Sequence, residues 1–116
     1  MESEFRPLNS RERGIIERLL EAEFQGHDEL RMQIDSVTAK QVLPDGTLRL
    51  QCASGPPAPT KYAIAMEGTY TDADGGAVAI LLHVDTAGFM RMLEILKHNG
   101  SPIIEPPVAD SVTVLR

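Results

Sequence analysis

The chain contains no tryptophan, and aromatic residues make up only 4% of it. A core of stacked large rings is excluded, so Ile, Leu, Val, Met and Ala must fill the interior. Cysteine is almost absent too. Cys52 stands alone, which rules out an internal disulfide and fits a reducing compartment. Basic side chains are scarce: 11 Lys and Arg stand against 17 Asp and Glu, for a net charge of -6. An acidic surface repels phosphates and anionic lipid, so neither nucleic acid nor a membrane is an expected partner, while a basic protein surface would suit it. Long apolar runs are missing as well. The longest, Ala77 to Leu82, falls far short of the roughly 20 residues that cross a bilayer. Met1 to Leu8 mixes charge and proline and has no apolar signal core, so the cytoplasm is the expected address.

Metal and cofactor signatures are also lacking. His27, His83 and His98 lie far apart without zinc-ligand spacing, and a single cysteine does not complete a site. Asp72-x-Asp74 followed by Gly75-Gly76 resembles the start of a calcium loop. The third ligand and the later glutamate are absent, because position 81 is leucine. Gly75-Gly76 lacks the Lys and Ser or Thr of a phosphate loop. No metal, no cofactor and no redox role for Cys52 are expected.

What the 116 residues do carry is the patterning of one α+β domain spanning 1–116. Asn9 followed three places later by Glu12 is a capping-box pair. Ile15, Ile16, Leu19 and Leu20 then recur at helical spacing, with Gly26 as the expected stop. Residues 27–33 read as a further helical turn with Leu30 inward. Val37 to Leu43 and Thr47 to Cys52 flank Pro44-Asp45-Gly46, a hairpin signal. Ser54 to Pro59 is a proline-rich loop. Lys61 to Val84 reads as a second hairpin around Asp72 to Gly76. Thr71 should face Ala77, Met66 face Leu82, and Ile64 face Val84, giving one strongly apolar face over Tyr62, Ile64, Met66, Gly68 and Tyr70. On the other face Ala65 should meet His83, and Ala63 meet Asp85. Phe89 to Lys97 fits helix and strand equally by periodicity, and Val112 to Leu115 is a short β-prone run.

Three stretches resemble an uncharacterised family of small bacterial proteins, a domain of unknown function. They are Arg6-Pro7-Leu8 with the capped helix behind it, Leu82-His83-Val84-Asp85 with Gly88, and Leu93-Glu94-Ile95 followed by Gly100, Pro102 and Pro106. The resemblance implies a strand for Phe89 to Lys97 and names no activity. Members of that family often carry clustered cysteines near the second strand. This chain retains only Cys52 there.

The expected architecture is an N-terminal helix packed on an antiparallel sheet of about five strands. The expected function is a non-catalytic binding or interaction module, an immunity-like protein binder being one form of it. The alternative is a small acid–base hydrolase or isomerase built on His83 and Asp85, which share a strand face, together with Glu67 or Glu94. Whether Glu94 joins that face depends on the length of the preceding turn. The small-residue face over Ala63, Ala65, Ala79 and Leu81 is too apolar to leave in water, and a homodimer through it is expected.

Overall fold

The structure is a computed structural model that describes residues 1–59 and 62–115. Among them, seven strands form one antiparallel sheet. In chain order the elements are β1 (Arg6–Pro7), α1 (Ser10–Leu19), α2 (His27–Gln33), β2 (Val37–Gln41), β3 (Leu48–Cys52), β4 (Ile64–Thr71), β5 (Ala77–Val84), β6 (Met90–Lys97) and β7 (Thr113–Leu115). Their spatial order is β1-β2-β3-β6-β5-β4-β7, so β6 is the central strand. The class is α+β, but the sheet has seven strands rather than about five. Arg6–Pro7 and Thr113–Leu115 are the two short edges, paired to β2 and β4. Thr113–Leu115 falls within the expected β-prone run Val112 to Leu115, whereas a two-residue strand such as Arg6–Pro7 leaves no periodicity in the sequence to find.

The N-terminal helix is closed by the expected capping box. Asn9 Oδ1 accepts from the Glu12 amide at 2.8 Å, and Glu12 Oε1 accepts from the Asn9 amide at 2.9 Å. Arg6 then clamps the same carboxylate with two bonds of 2.6 and 2.9 Å. Burial alone would raise the Glu12 pKa, but the Arg6 and Asn9 bonds outweigh it and hold the group below its usual range. The helix ends at Leu19, well before Gly26. Gly26, at a φ of 94°, instead opens α2, where its left-handed backbone turns the chain into the second helix.

Ile15, Ile16, Leu19 and Leu30 from the helices join Leu48, Leu50, Ile80, Leu82 and Leu93 from the sheet in one core. Gly68 marks the closest approach: a methyl group there would sit 2.8 Å from Leu19 Cδ2 and 2.7 Å from Val112 Cγ1. Gln33 ties the buried side together. Its amide donates to the carbonyls of Pro56 and Gly88, and its side-chain oxygen accepts from the Met90 amide at 3.1 Å. Gly88 has a φ of 93° and lies directly against the Ala58 backbone, so no side chain fits there.

The β4–β5 hairpin keeps the expected pairs from Thr71↔Ala77 to Met66↔Leu82. It then departs from them. A bulge between Ile64 and Met66 shifts the register by one, so Ile64 faces His83 instead of Val84. One extra residue turns the next side chain to the other face. Ile64 is therefore 42% exposed, not buried with Met66, Leu82 and Val84. The expected Ala65–His83 and Ala63–Asp85 pairs are lost with it. Ala63 precedes the strand and its carbonyl accepts from the Val84 amide at 2.7 Å. Tyr62 also lies outside β4 and is exposed, and Lys61, the expected start of the strand, is outside the described residues. Phe89 to Lys97 is resolved in favour of a strand, since Met90–Lys97 forms β6 between β5 and β3.

Candidate functional site

The register divides the sheet into two faces of different character. The core face carries the large aliphatic residues that cluster with Ile15, Ile16, Leu19 and Leu30. The opposite face is built from cross-strand rows. Lys40 faces Arg49, Arg49 faces Met92, and Met92 faces His83. In the next row Glu94 faces Leu81 and Leu81 faces Glu67. In the third, Leu96 faces Ala79 and Ala79 faces Thr69. Leu96, at 48% exposure, is a large apolar side chain left in solvent on the central strand.

Within this face His83 and Glu94 meet across β5 and β6. His83 Nε2 lies 2.9 Å from Glu94 Oε1. An ionised carboxylate only accepts, so His83 Nε2 is the donor in this contact. The pairing settles the face of Glu94: it is the same as that of His83. Glu67 shares the face, but Leu81 stands between it and Glu94. Asp85 is used differently. Its Oδ1 accepts from the Ala87 and Phe89 amides, each at 2.9 Å, which closes the turn from β5 into β6. Of the four candidate acid–base residues, the fold thus brings His83 and Glu94 into contact, leaves Glu67 one residue away across the sheet, and commits Asp85 to a turn. Of the expected contact residues, Ala65, Ala79 and Leu81 lie in β4 and β5, with Ala79 already covered by its neighbours, while Ala63 is exposed just before β4.

A second cluster sits on the core side, and its centre is a residue that sequence patterning does not single out. Lys97 Nζ donates to Asp72 Oδ2 and to Asp74 Oδ2, each at 2.8 Å, and to the Pro102 carbonyl at 3.1 Å. Asp72 also accepts from the backbone amides of Ala73, Ile104 and Glu105, each at 2.8 Å. The Asp72 and Lys97 side chains are 0% and 3% exposed. The Ile104 amide and the Lys97 ammonium, with the other amide donors, hold Asp72 far below the usual carboxylate range. Burial would depress Lys97, but its two carboxylate partners prevail and raise it. Tyr70, whose hydroxyl donates to the Glu105 carbonyl at 3.0 Å, is pushed up to about 12 by burial and by the Asp72 charge. The Asp72-x-Asp74 pair, similar in sequence to part of a calcium loop, therefore holds an ammonium. No cluster of metal-ligating side chains occurs among the described residues. The signal for this latch was a lysine at an inward position of an apolar strand.

A hollow of about 400 Å³ lies beside β4, lined by Glu67 together with Phe24, Ile64, Ala65 and Leu115. Another of about 270 Å³ opens between the helices, lined by Arg13, Leu20, Arg31 and Asp35. Arg13 is already engaged there, 2.6 Å from Asp35. Cys52, at the end of β3, donates to the Ser54 carbonyl at 3.0 Å and sits 3.3 Å from Ser36 Oγ. No helix among the described residues is long and apolar enough to cross a membrane.

Residues 5–107 match the family described as a domain of unknown function, DUF6984. The chain belongs to the DUF6984 family. That match spans the Arg6–Glu12 clamp, the His83–Glu94 pair and the Lys97 latch, all of which are therefore features within the family domain. No curated protein and no solved structure matches the chain.

Proposed function

We propose that this DUF6984 domain is a non-catalytic interaction module that binds protein through the open face of its sheet. The observation that carries the reading is the contrast in cover. Helix α1 and the segment from Asn99 to Val112 serve as the cover of one face, while large apolar residues such as Leu96 remain in solvent on the other. Soluble domains rarely leave such a patch without use. The rows mix Leu81, Met92 and Leu96 with Lys40, Arg49, Glu67 and Glu94, and such a mixture of apolar and charged groups suits a non-obligate binding surface.

The test is carboxyl footprinting of Glu67 and Glu94 in a lysate of the native host, compared with dilute purified protein. Protection of both in the lysate, with Asp28 and Glu29 of α2 labelled equally in each, is the expected result. Equal labelling of the open-face carboxylates in both samples overturns the reading.

A second reading, a small acid–base enzyme, is favoured by one observation: the 2.9 Å contact of His83 with Glu94. In that reading Glu94 fixes the tautomer and His83 Nδ1 takes the substrate proton. Asp85 has no part in it, because its carboxylate holds the turn. This reading requires a hydrolysis or isomerisation activity that His83→Ala abolishes while the fold is retained. An activity unaffected by that substitution removes it.

A further inference from the structure

We infer that the hollow beside β4 is a docking site for an extended, basic segment of another protein, one that carries Lys or Arg together with apolar side chains. This does not rest on the open-face reading. Glu23 and Phe24 lie in the connection between the helices, and Glu67 is the one carboxylate that the hollow shares with the open-face rows.

The first argument is shape. The hollow measures about 400 Å³, within the roughly 300–1,000 Å³ of ordinary ligand sites. Its walls are Phe24, Ile64, Ala65, Met66 and Leu115. Phe24 and Ala65 pack against the core cluster, and the Phe24 ring stands edge-on to His27 with centroids 5.7 Å apart. The fold therefore holds these walls before anything binds. Ile64 and Leu115, each 42% exposed, leave apolar surface there in water.

The second argument is charge. Glu23 and Glu67 also line the hollow, and no Lys or Arg among the described residues does. Neither carboxylate makes a hydrogen bond or ion pair among those residues. The hollow between the helices differs, because Arg13 and Arg31 line it beside its carboxylates. The β4 hollow thus favours a cation and rejects an anion, and the net charge of -6 draws a basic segment toward the molecule.

The third argument is the strand edge. β7 pairs with β4 at Glu67, Gly68 and Thr69. None of the described residues pairs with Ile64, Ala65 or Met66 on that side, and this is the part of β4 that lines the hollow. An extended segment laid along it gains backbone hydrogen bonds as well as side-chain contacts, which a small amine does not. Its alternate side chains fall to the two sides of the edge. Ile64 and Glu67 stand on the open side, Phe24 and Glu23 on the side of the helices, so both sides of the segment meet a carboxylate beside an apolar wall.

The test is fluorescence anisotropy of a short, capped, dye-labelled peptide in which Lys-Lys and Val-Val pairs alternate, titrated with the purified protein. Saturable binding is expected, and the matching peptide with Glu-Glu in place of Lys-Lys should not bind. Ile64→Lys should weaken binding about tenfold or more, because it sets a cation against those of the peptide at an exposed position. Glu23→Gln and Glu67→Gln should each weaken it about threefold, the scale of an exposed ion pair. Glu4→Gln and Asp110→Asn remove the same charge away from the hollow and should change it less than about twofold. In carboxyl footprinting the peptide should shield Glu23 and Glu67 and leave Glu94 labelled. A wild type that does not bind the Lys peptide overturns the docking site. Equal losses from all four charge-removing variants reduce the binding to general attraction by an acidic protein and overturn it too. Shielding of Glu94 with Glu23 still labelled moves the peptide onto the open face, which overturns the hollow and supports the open-face reading. That reading is judged separately, on Glu94 in the lysate.

Discussion

Lys97 and Glu94 are three residues apart on the same strand, yet they face opposite sides of the sheet and live in different environments. Lys97 is enclosed. Two carboxylates and a carbonyl surround its ammonium, and its main partner, Asp72, receives three further backbone amides. Glu94 has His83 as its neighbour and remains a third exposed. The difference shows how one strand divides two tasks. Toward the helices, a charge is tolerated because every bond it needs is supplied, and those bonds fasten the β4–β5 turn and the chain near Ile104 to the end of β6. Toward the open side, the charge is only loosely held and remains free to meet something else.

The largest expected effect tests the enclosed half. Lys97→Met should cost more stability than a single truncation in the apolar core or any change on the open face, because it leaves the Asp72 carboxylate buried without its cation. Urea denaturation should show a loss exceeding that of Leu82→Ala. A smaller loss would mean that the backbone amides alone satisfy Asp72. The latch also sets a pH dependence. The Asp72 pKa is depressed in the folded state, so its contribution is present above the unfolded value of about 4 and is lost as pH falls below it. The Lys97 and Tyr70 values are raised, so their contributions are full below about pH 10 and are lost as pH rises through the folded values, about 12 for Tyr70. In Lys97→Met the stability profile should flatten at the acid end, because Asp72 loses a partner that depresses it, while the alkaline contribution of Tyr70 remains. A variant profile parallel to the wild type would remove the latch from the account of pH stability.

The next effect contrasts the two faces through neighbours in the β4–β5 hairpin. Leu82 is 0% exposed on the core face, and Leu82→Ala should cost about 2–5 kcal/mol. Ile64, turned outward by the bulge, should cost less than about 1 kcal/mol on the same change in the dilute monomer. Equal costs in chemical denaturation would place Ile64 back in the core and contradict the bulge.

That pair also marks where the sequence stops being legible. The capping box at Asn9 and Glu12, both hairpin turns and the register from Thr71 to Met66 follow from local rules of capping, turn chemistry and alternation. The bulge does not, because Tyr62, Ile64, Met66, Gly68 and Tyr70 alternate without a break through the point where the register shifts. The early end of α1 was hidden by apolar residues that continue to Leu20 and Ala22 at helical spacing. The Lys97 latch escaped because its partners are 23 and 25 residues away and meet it only after β6 pairs with β5. The His83–Glu94 contact was half visible. His83 could be placed on its face from the hairpin, but Glu94 depended on the irregular turn and on the second bulge, between His83 and Val84.

The smallest expected effect lies in the open half and sharpens the comparison most. A double-mutant cycle with His83→Ala and Glu94→Gln measures the coupling of the pair apart from the rest of the face. In dilute monomer the pair is partly solvated and held by one bond, so the coupling should stay below about 1 kcal/mol. A coupling of several kcal/mol there would make the pair a latch like that of Lys97, and the two sides of β6 would no longer differ in kind.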